Sequence, residues 1–342
     1  MSGFWENTKR AAVEGQGSLA SVLITRFKIK IRLIIADALA KMISILLPSR
    51  LMRNTRYFQL WQEKEYHITP VNFYYPIPDT RTCKDDLWEK SSKLMGLNLN
   101  DEKQLELLSL FMLKFKSEYD DFPIYKTSIP YQYYLKNGSF DGIDGEILYS
   151  MIRYFKPSKI IEIGSGKSTY VSAQAILKNK SEDNNYESEL IAIEPYPNNI
   201  LLSGFPGLSR IIAKKVETVA LEEFEKLQTN DILFIDSSHV LKIGSDVQYE
   251  YLEILPSLNK GVIVHIHDIF FPLEYPKEWI FEYCWFLNEQ YLLQAFLAFN
   301  NSFEVLWAGR YLHLKYPHKL EKAFSSYNRM EEKPGSFWIR RK

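Results

Sequence analysis

Five short apolar runs between residues 159 and 267 constrain the fold of this 342-residue chain more than any other feature. The strands predicted from them are 159–163, 190–194, 210–216, 231–236 and 261–267. Helical stretches separate these runs, which predicts a parallel sheet with right-handed crossovers. In sheets of this kind, ligands lie at the carboxyl ends of the strands. A ligand site is therefore expected where these runs end.

The C-terminal region departs from this alternation. Residues 303–316 are rich in aromatic and β-branched side chains, and residues 336–341 form another predicted strand. No long crossover helix fits between them, so an antiparallel pair at one edge of the sheet is the simplest account. The expected fold is α/β, with a Rossmann-like, mostly parallel sheet, an antiparallel C-terminal edge pair and a mainly helical N-terminal extension.

The first predicted strand runs through Glu162 into a turn formed by Gly164, Ser165 and Gly166, and a helix follows. The two glycines allow a tight turn and a close approach to a ligand, where a Cβ atom would clash. The first turn of the helix presents unpaired backbone N–H groups, which suit a polar or anionic group. Two ligands fit this arrangement: a nucleotide phosphate, and the amino-acid end of S-adenosylmethionine.

The residues around the turn favour one of these two ligands over the other. A phosphate-binding P-loop has a glycine five positions before Gly166, where this chain has Ile161, and Glu162 would place a carboxylate against the phosphates. A dinucleotide-binding turn would have its third glycine at Thr169. A sulfonium ligand uses both nearby acidic residues, because Glu162 can accept from its ammonium group and Glu194 from its ribose. A P-loop-like nucleotide-binding protein stays as the alternative.

Residues 139–342 resemble a class I S-adenosylmethionine-dependent methyltransferase, and within that class the small-molecule group called methyltransferase family 24. The stretches that carry the resemblance are 162–168, 193–195, 234–239 with Asp246, 267–268 and 335–340. The resemblance implies S-adenosylmethionine as the cofactor and a small molecule as the acceptor. We expect methylation of an oxygen of a small molecule or sugar, with a nitrogen as the alternative acceptor atom. The cofactor-binding residues that it implies are Glu162, Gly164, Ser165, Gly166 and Ser168 at the methionine end, Glu194 at the ribose, Val216 and Glu217 at the adenine, and Asp236 closing the site.

The densest cluster of titratable residues comes from the ends of the fourth and fifth predicted strands: Asp236, His239, His265, His267 and Asp268. Neighbouring strand ends lie about 5 Å apart, so Asp236 and Asp268 can converge on one ligand. A divalent metal such as Mg²⁺, held by Asp236, His267 and Asp268, would lower the pKa of an acceptor hydroxyl. Alternatively, His239 or His267 acts as a general base beside Asp236 without a metal. Both mechanisms stay open, and His265 is expected to be a core histidine.

The charge balance and the cysteine content indicate which binding partners and which cellular compartment to expect. Lys+Arg and Asp+Glu both total 42, which disfavours a uniformly basic nucleic-acid-binding protein. The only cysteines, Cys83 and Cys284, are too few for a disulfide framework and suit a reducing cytoplasm. The expected partner is a small-molecule or sugar acceptor, with no nucleic acid, and a homo-oligomer stays open. A non-catalytic cofactor-binding scaffold is the alternative to an enzyme.

An N-terminal extension, residues 1–130, precedes the predicted S-adenosylmethionine-binding methyltransferase domain at 131–342. Residues 24–46 have apolar positions at helical spacing, and basic residues lie among them at Arg26, Lys28, Lys30, Arg32 and Lys41. This pattern predicts a basic amphipathic helix that packs on the main domain or on a second subunit, or that lies on a membrane surface. The expected location is therefore the cytoplasm, with peripheral membrane contact through this helix as the other possibility. Asp37 and Lys41 interrupt any uncharged span long enough to cross a bilayer.

A second feature of the extension is the segment 73–79, which contains two prolines. Proline fixes extended geometry around itself, so this segment is expected to be non-helical and lid-like.

Overall fold

The computed structural model describes residues 19–47 and 55–342. By its contacts the chain divides into two compact units, Met1–Thr80 and Arg81–Lys342. The first unit contains α1 (Leu19–Leu46) and α2 (Thr55–Gln62). The segment 73–79 has no regular helix or strand, as its prolines predict. No helix in the described part of the chain is both long enough and apolar enough to cross a bilayer.

The second unit is built on one seven-stranded sheet. Its strands are β1 (Lys159–Ile163), β2 (Glu189–Ile193), β3 (Arg210–Ile212), β4 (Ile232–Ile235), β5 (Ile263–Ile266), β6 (Phe303–Ala308) and β7 (Phe337–Arg341). Their order in space is β3-β2-β1-β4-β5-β7-β6. Strands β1 to β5 pair in parallel, whereas β7 is antiparallel to both β5 and β6. The predicted Rossmann-like sheet with an antiparallel C-terminal edge pair is confirmed.

Helices cover both faces of this sheet. The helices before β1 are α3 (Asp86–Glu89), α4 (Asp101–Tyr119) and α5 (Gly142–Phe155). Those between β1 and β5 are α6 (Lys167–Glu182), α7 (Asn199–Ser203), α8 (Glu222–Glu225), α9 (Asp246–Tyr249) and α10 (Leu255–Ser257). The last four are α11 (Lys277–Phe281), α12 (Glu289–Leu297), α13 (Gly309–Lys315) and α14 (Pro317–Ala323). A π-helical turn, Glu250–Ile254, joins α9 to α10.

Side chains of the central strands enter two apolar layers, one on each face of the sheet. In β1, Ile160 belongs to the layer formed with α5 and α6, whereas Ile161 and Ile163 belong to the opposite layer. Burial on both faces explains why the strand sequences are continuous apolar runs. Glu162 is the exception in β1, because its carboxylate is completely buried within this core.

Two strands end at least four residues before their predicted ends. The third strand ends at Ile212, and Val216 lies in a 3-10 turn, Val216–Thr218. The strand predicted over 303–316 ends at Ala308, and helices α13 and α14 follow it.

Asp101, at the start of α4, accounts for the helix that replaces the end of the predicted strand. Its carboxylate accepts hydrogen bonds from Tyr311 at 2.9 Å, Lys315 at 2.6 Å and Tyr316 at 2.6 Å. These contacts hold α13 against α4, and no local pattern in 303–316 indicates this distant partner.

Helix α4 belongs by its contacts to the second unit. Gln104 on α4 accepts a hydrogen bond from the backbone N–H of Ala308 at 2.8 Å, and Lys103 forms an ion pair with Glu304 at 2.7 Å. Both contacts attach α4 to the edge strand β6. The division by contacts therefore falls after Thr80, whereas the sequence places the start of the methyltransferase domain at residue 131.

Candidate active site

A cavity of about 590 Å³ opens at the carboxyl ends of β1, β2 and β4. Five of the predicted cofactor-binding residues form part of its wall: Gly164, Glu194, Val216, Glu217 and Asp236. The other four, Glu162, Ser165, Gly166 and Ser168, belong to the end of β1, the turn and the start of α6. This cavity lies where parallel sheets place their ligands, at the point where the strand order reverses.

Glu194 follows β2, and its carboxylate connects the loop after β1 with the loop after β2. One carboxylate oxygen accepts a hydrogen bond from the backbone N–H of Ser165 at 3.3 Å, and the other from that of Tyr196 at 2.8 Å. Each oxygen keeps a further lone pair for a ligand hydroxyl. The position suits a pair of ribose hydroxyls.

The surroundings of the two glycines in the turn differ. Gly164 has φ +78°, and a Cβ atom there would lie 1.8 Å from the backbone oxygen of Asp236. Glycine is therefore required here by the tight turn and by the close approach of two strand ends, and Gly164 also lines the cavity. At Gly166 a Cβ atom would meet nothing within 4 Å. This open space above the turn is what a bound ligand needs.

Glu162 is a buried carboxylate that uses only one of its oxygens in hydrogen bonds within the described residues. Ser168 donates a hydrogen bond to that oxygen at 2.5 Å, and the second oxygen is buried with no hydrogen-bond partner in the described part of the chain. Burial raises the pKa of Glu162 to about 8, and the negative charges of Asp236 and Glu194 add to this, although Ser168 and Thr169 oppose it. An uncompensated buried carboxylate calls for a cationic or hydrogen-donating ligand. The ammonium group of an amino acid fits that requirement.

A second cavity, of about 730 Å³, lies at the end of β5. Its wall contains acidic residues, a histidine and aromatic residues: Asp141, Asp144, Asp268, Glu278, Glu331 and Glu332, His267, and Phe270, Trp279 and Tyr283. Its lysines are Lys136 and Lys333. Polar groups beside an aromatic wall are typical of a pocket for a small organic molecule.

His239 lies between one residue from the wall of each cavity. Asp236 lines the first cavity and Asp268 the second, and the His239 Nε2 atom lies 3.2 Å from Asp236 Oδ1 and 3.5 Å from Asp268 Oδ2. His239 and Asp268 both have positive φ angles, 58° and 56°. Such conformations are uncommon for residues with a side chain and cluster at functional sites.

A buried glutamate orients His239 by contacting the ring nitrogen that does not face the aspartates. Glu289, at the start of α12, is completely buried, and its Oε2 atom lies 2.7 Å from His239 Nδ1. Its other oxygen accepts a hydrogen bond from Tyr251 at 3.0 Å. With Nδ1 bound to Glu289, the Nε2 atom is directed at the two aspartates. Burial lowers the pKa of His239, but Asp236, Glu289 and Asp268 outweigh it and raise the pKa well above the usual value.

The pKa values of the two aspartates are shifted in opposite directions. Burial opposes ionisation of Asp236, yet His267 and His239 lower its pKa below the usual value. Burial raises the pKa of Asp268, and this outweighs the opposing charges of the same two histidines. The cluster thus has one carboxylate that ionises more readily than usual and one that holds its proton more readily than usual, on either side of an imidazole.

Comparison with known proteins identifies the family. The profile of a family described as a methyltransferase domain, methyltransferase family 24, matches residues 161–269. A curated protein from Archaeoglobus fulgidus, described as an uncharacterized protein, is 31% identical over 173 residues, which are 48% of this chain and 75% of that protein. The chain belongs to this methyltransferase family.

Two solved structures resemble this methyltransferase at low identity. An O-methyltransferase from Bacillus cereus, crystallised with SAH, is 13% identical with a TM-score of 0.31, and the match covers 69% of this chain and 91% of that one. The apo structure of CmcI-N160 is 15% identical with a TM-score of 0.34, and the match covers 61% of this chain and 76% of that one.

The family membership resolves the choice of function class made from the sequence. The methyltransferase interpretation is confirmed, and the P-loop-like nucleotide-binding alternative is wrong. The buried carboxylate of Glu162 gives the physical reason, because it occupies the end of β1 where a P-loop would wrap phosphates.

The three candidate histidines of the methyltransferase have different surroundings. His265 is completely buried, stacks on Phe234 at 4.0 Å and pairs with Ser336 at 3.1 Å, which makes it the expected core histidine. Burial lowers its pKa well below the usual value. His267 lines the second cavity, and its Nδ1 atom is buried without a hydrogen-bond partner among the described residues. Only His239 lies between both aspartates.

The candidate metal ligands differ from the predicted set by one residue. The set predicted from the sequence is Asp236, His267 and Asp268. In the described residues, the group whose ligand atoms all lie within 4.8 Å of one another is Asp236, His239 and Asp268. His267 Nε2 lies 3.7 Å from Asp268 Oδ1, on the side of the second cavity. The contact of His239 Nδ1 with Glu289 accounts for the difference, because it leaves Nε2 of His239 beside the two aspartates.

Sequence reasoning missed Glu289 and Tyr251. Glu289 lies fifty residues after His239 and begins a helix, where an acidic residue is ordinary. Tyr251 lies in the π-helical turn Glu250–Ile254, and such turns recur at functional sites. No signal along the sequence indicates either contact.

Proposed function

We propose that this methyltransferase transfers the methyl group of S-adenosylmethionine to a hydroxyl oxygen of a small polyhydroxylated acceptor, such as a sugar. The observation that carries the proposal is that His239 lies between Asp236, in the wall of the first cavity, and Asp268, in the wall of the second. Methyl transfer needs a donor and an acceptor on opposite sides of one reaction centre, held in line.

The first cavity supports S-adenosylmethionine as the donor. The free oxygen of Glu162 suits its ammonium group, and the spare lone pairs of Glu194 suit its ribose. Val216 is buried and apolar at the cavity wall, as one face of an adenine requires. Asp236 would border the sulfonium end.

The second cavity supports a sugar-like acceptor. Carboxylates accept hydrogen bonds from hydroxyl groups, and an aromatic ring such as Trp279 offers a flat face for an apolar side of a sugar. Acidic residues outnumber Lys136 and Lys333 in the wall. This charge disfavours a phosphate- or carboxylate-bearing acceptor.

Asp236, His239 and Asp268 fit a divalent metal ion. Two carboxylates and one imidazole lie close enough to share one cation, and Glu289 supports the imidazole as carboxylates support metal-binding histidines. A nitrogen ligand favours Mn²⁺ or Zn²⁺ over Mg²⁺, which prefers oxygen. When bound, such an ion would lower the pKa of an acceptor hydroxyl.

The protein's own groups can also handle the acceptor proton. In its neutral form, His239 can accept a proton at Nε2, and Glu289 stabilises the resulting imidazolium. The raised pKa of His239 favours the protonated form, so this route would operate above that pKa. Metal binding and the general-base role exclude each other, because both use the same lone pair.

Titration calorimetry with S-adenosylmethionine, followed by detection of S-adenosylhomocysteine formed in cell extract, tests the function. We expect binding that Glu194→Ala weakens at least tenfold and that the exposed control Glu187→Ala leaves unchanged. Turnover in extract is expected from the wild type. Binding without turnover in any extract would favour the non-catalytic scaffold, and no binding would overturn the assignment of the first cavity.

A further inference from the structure

Helix α1 leaves a large apolar surface uncovered. Between residues 26 and 46, ten large apolar side chains are exposed, from 42% at Ile31 to 78% at Ile45. Contiguous apolar exposure of this kind marks an interaction surface. The residues that line the two cavities all belong to the second unit.

Basic residues concentrate at one end of the same helix. Arg26, Lys28, Lys30 and Arg32 are all exposed, and the stretch 26–46 contains five basic residues and a single acidic one, Asp37. At 100° per residue, Arg26 and Lys30 lie on one side of the helix, and Lys28 and Arg32 on the other. The N-terminal half therefore carries cations on both sides.

The C-terminal half of the helix has a polar face and an apolar face. Asp37 and Lys41 are four residues apart and share one face. Opposite them, Ile35, Leu39 and Met42 follow one another at helical spacing, and each is about half exposed. A helix with an apolar stripe and cationic flanks is suited to the boundary between lipid headgroups and acyl chains.

We propose that α1 docks this methyltransferase on the surface of membranes that contain anionic lipids. The apolar stripe would enter the acyl boundary, and the four N-terminal basic residues would reach the headgroups, their long side chains extending toward water. This attachment is independent of the proposed methyl transfer, because its residues lie outside both cavities.

A second copy of the chain fits this helix less well. In a parallel pair of helices, the four basic residues of each copy would face one another and repel. In an antiparallel pair, the apolar stripe of each copy would face the cationic half of its partner. An anionic lipid surface can bind the cationic half of the helix through its headgroups and the apolar stripe through its acyl chains.

Sedimentation of the full chain with lipid vesicles tests the proposal. Vesicles of phosphatidylcholine alone are compared with vesicles that also contain phosphatidylglycerol, at low and high salt. We expect binding to the anionic vesicles that salt weakens. Replacement of Arg26, Lys28, Lys30 and Arg32 by Gln should weaken binding by roughly fivefold per residue removed.

Two further variants separate the contributions of charge and apolar contact. The double variant Ile35→Gln with Leu39→Gln should also lose binding, although it keeps every basic residue. The matched control removes four exposed lysines of the second unit by replacement with Gln: Lys114, Lys180, Lys260 and Lys322. It should bind anionic vesicles as the wild type does.

Three results would overturn the proposal. Equal binding to both kinds of vesicle would remove the role of the basic residues, and equal binding by the control and the α1 variants would remove the role of the helix. No vesicle binding, together with a dimer in light scattering that the α1 variants abolish, would assign the surface to a second copy. Circular dichroism of each variant checks that it remains folded.

Discussion

The Nδ1 atom of His239 lies 2.7 Å from the Oε2 atom of Glu289, a carboxylate that is completely buried at the start of α12. This contact joins a loop after β4 to a helix fifty residues further along the chain. It fixes the direction of the imidazole, so that Nε2 faces Asp236 and Asp268. The proposed reaction centre therefore depends on Glu289, which is not among the residues that line either cavity.

Glu289→Gln should impair turnover much more than cofactor affinity. The amide can still contact His239, but it carries no charge, so the pKa of His239 should fall. We expect a loss of about 10- to 100-fold in kcat and an acid limb of the pH–rate profile that moves to lower pH. Tyr251→Phe, which removes only the hydrogen bond to Glu289, should have a smaller effect. An unchanged profile in Glu289→Gln would mean that His239 takes no part in the chemistry.

Glu162→Gln should separate fold stability from cofactor binding. Burial raises the pKa of Glu162 from its ordinary value of 4.5 to about 8, so its protonated form stabilises the fold. That stabilisation is complete below 4.5 and is lost as pH rises through 8, at up to about 1.4 kcal/mol per pH unit. Between pH 4.5 and about pH 8, the free energy of unfolding of the cofactor-free variant should therefore fall less than that of the wild type, as measured by chemical denaturation. Its affinity for S-adenosylmethionine should fall about tenfold, because the ammonium group loses a charged partner.

Glu146→Gln is the matched control for this experiment. Glu146 is also buried, accepts a hydrogen bond from Ser326 at 2.6 Å and has its pKa raised to about 8 by burial. It should show the same change of stability with pH but normal cofactor affinity. If both variants lose affinity equally, Glu162 has no special contact with the cofactor.

The two glycines of the turn should respond differently to alanine. Gly164→Ala places a Cβ atom 1.8 Å from the Asp236 backbone oxygen, at a φ of +78° that alanine disfavours. We expect it to lower the free energy of unfolding by about 2 kcal/mol or more. Gly166→Ala meets open space, so it should fold normally and weaken cofactor binding instead. Thermal melts and calorimetry distinguish these outcomes, and normal cofactor binding by a folded Gly166→Ala protein would place the ligand elsewhere.

Removal of divalent ions should slow turnover. Because Asp236, His239 and Asp268 can share one cation, we expect dialysis against a chelator to reduce the rate and Mn²⁺ to restore it. Asp268→Asn should make the rate insensitive to added Mn²⁺. Full activity in the chelator would instead assign the acceptor proton to His239 acting alone.

The order of helices and strands was readable from the sequence because each element leaves a local pattern. The apolar runs of β1, β2, β4 and β5 are continuous since both faces of the sheet are covered, and the strand ends carry Glu194, Asp236 and Asp268. Parallel strands bring their carboxyl ends to one edge, so the grouping of these acidic residues followed from topology alone.

The orientation of side chains within that edge was decided only by tertiary structure. Whether His239 or His267 joins the aspartates depends on a positive backbone angle and on Glu289, and neither has a signature in nearby residues. The same holds for α13, which replaces a predicted strand because Asp101, two hundred residues earlier, binds its side chains. Local propensity is a short-range property of the chain, whereas these contacts exist only after distant segments have packed together.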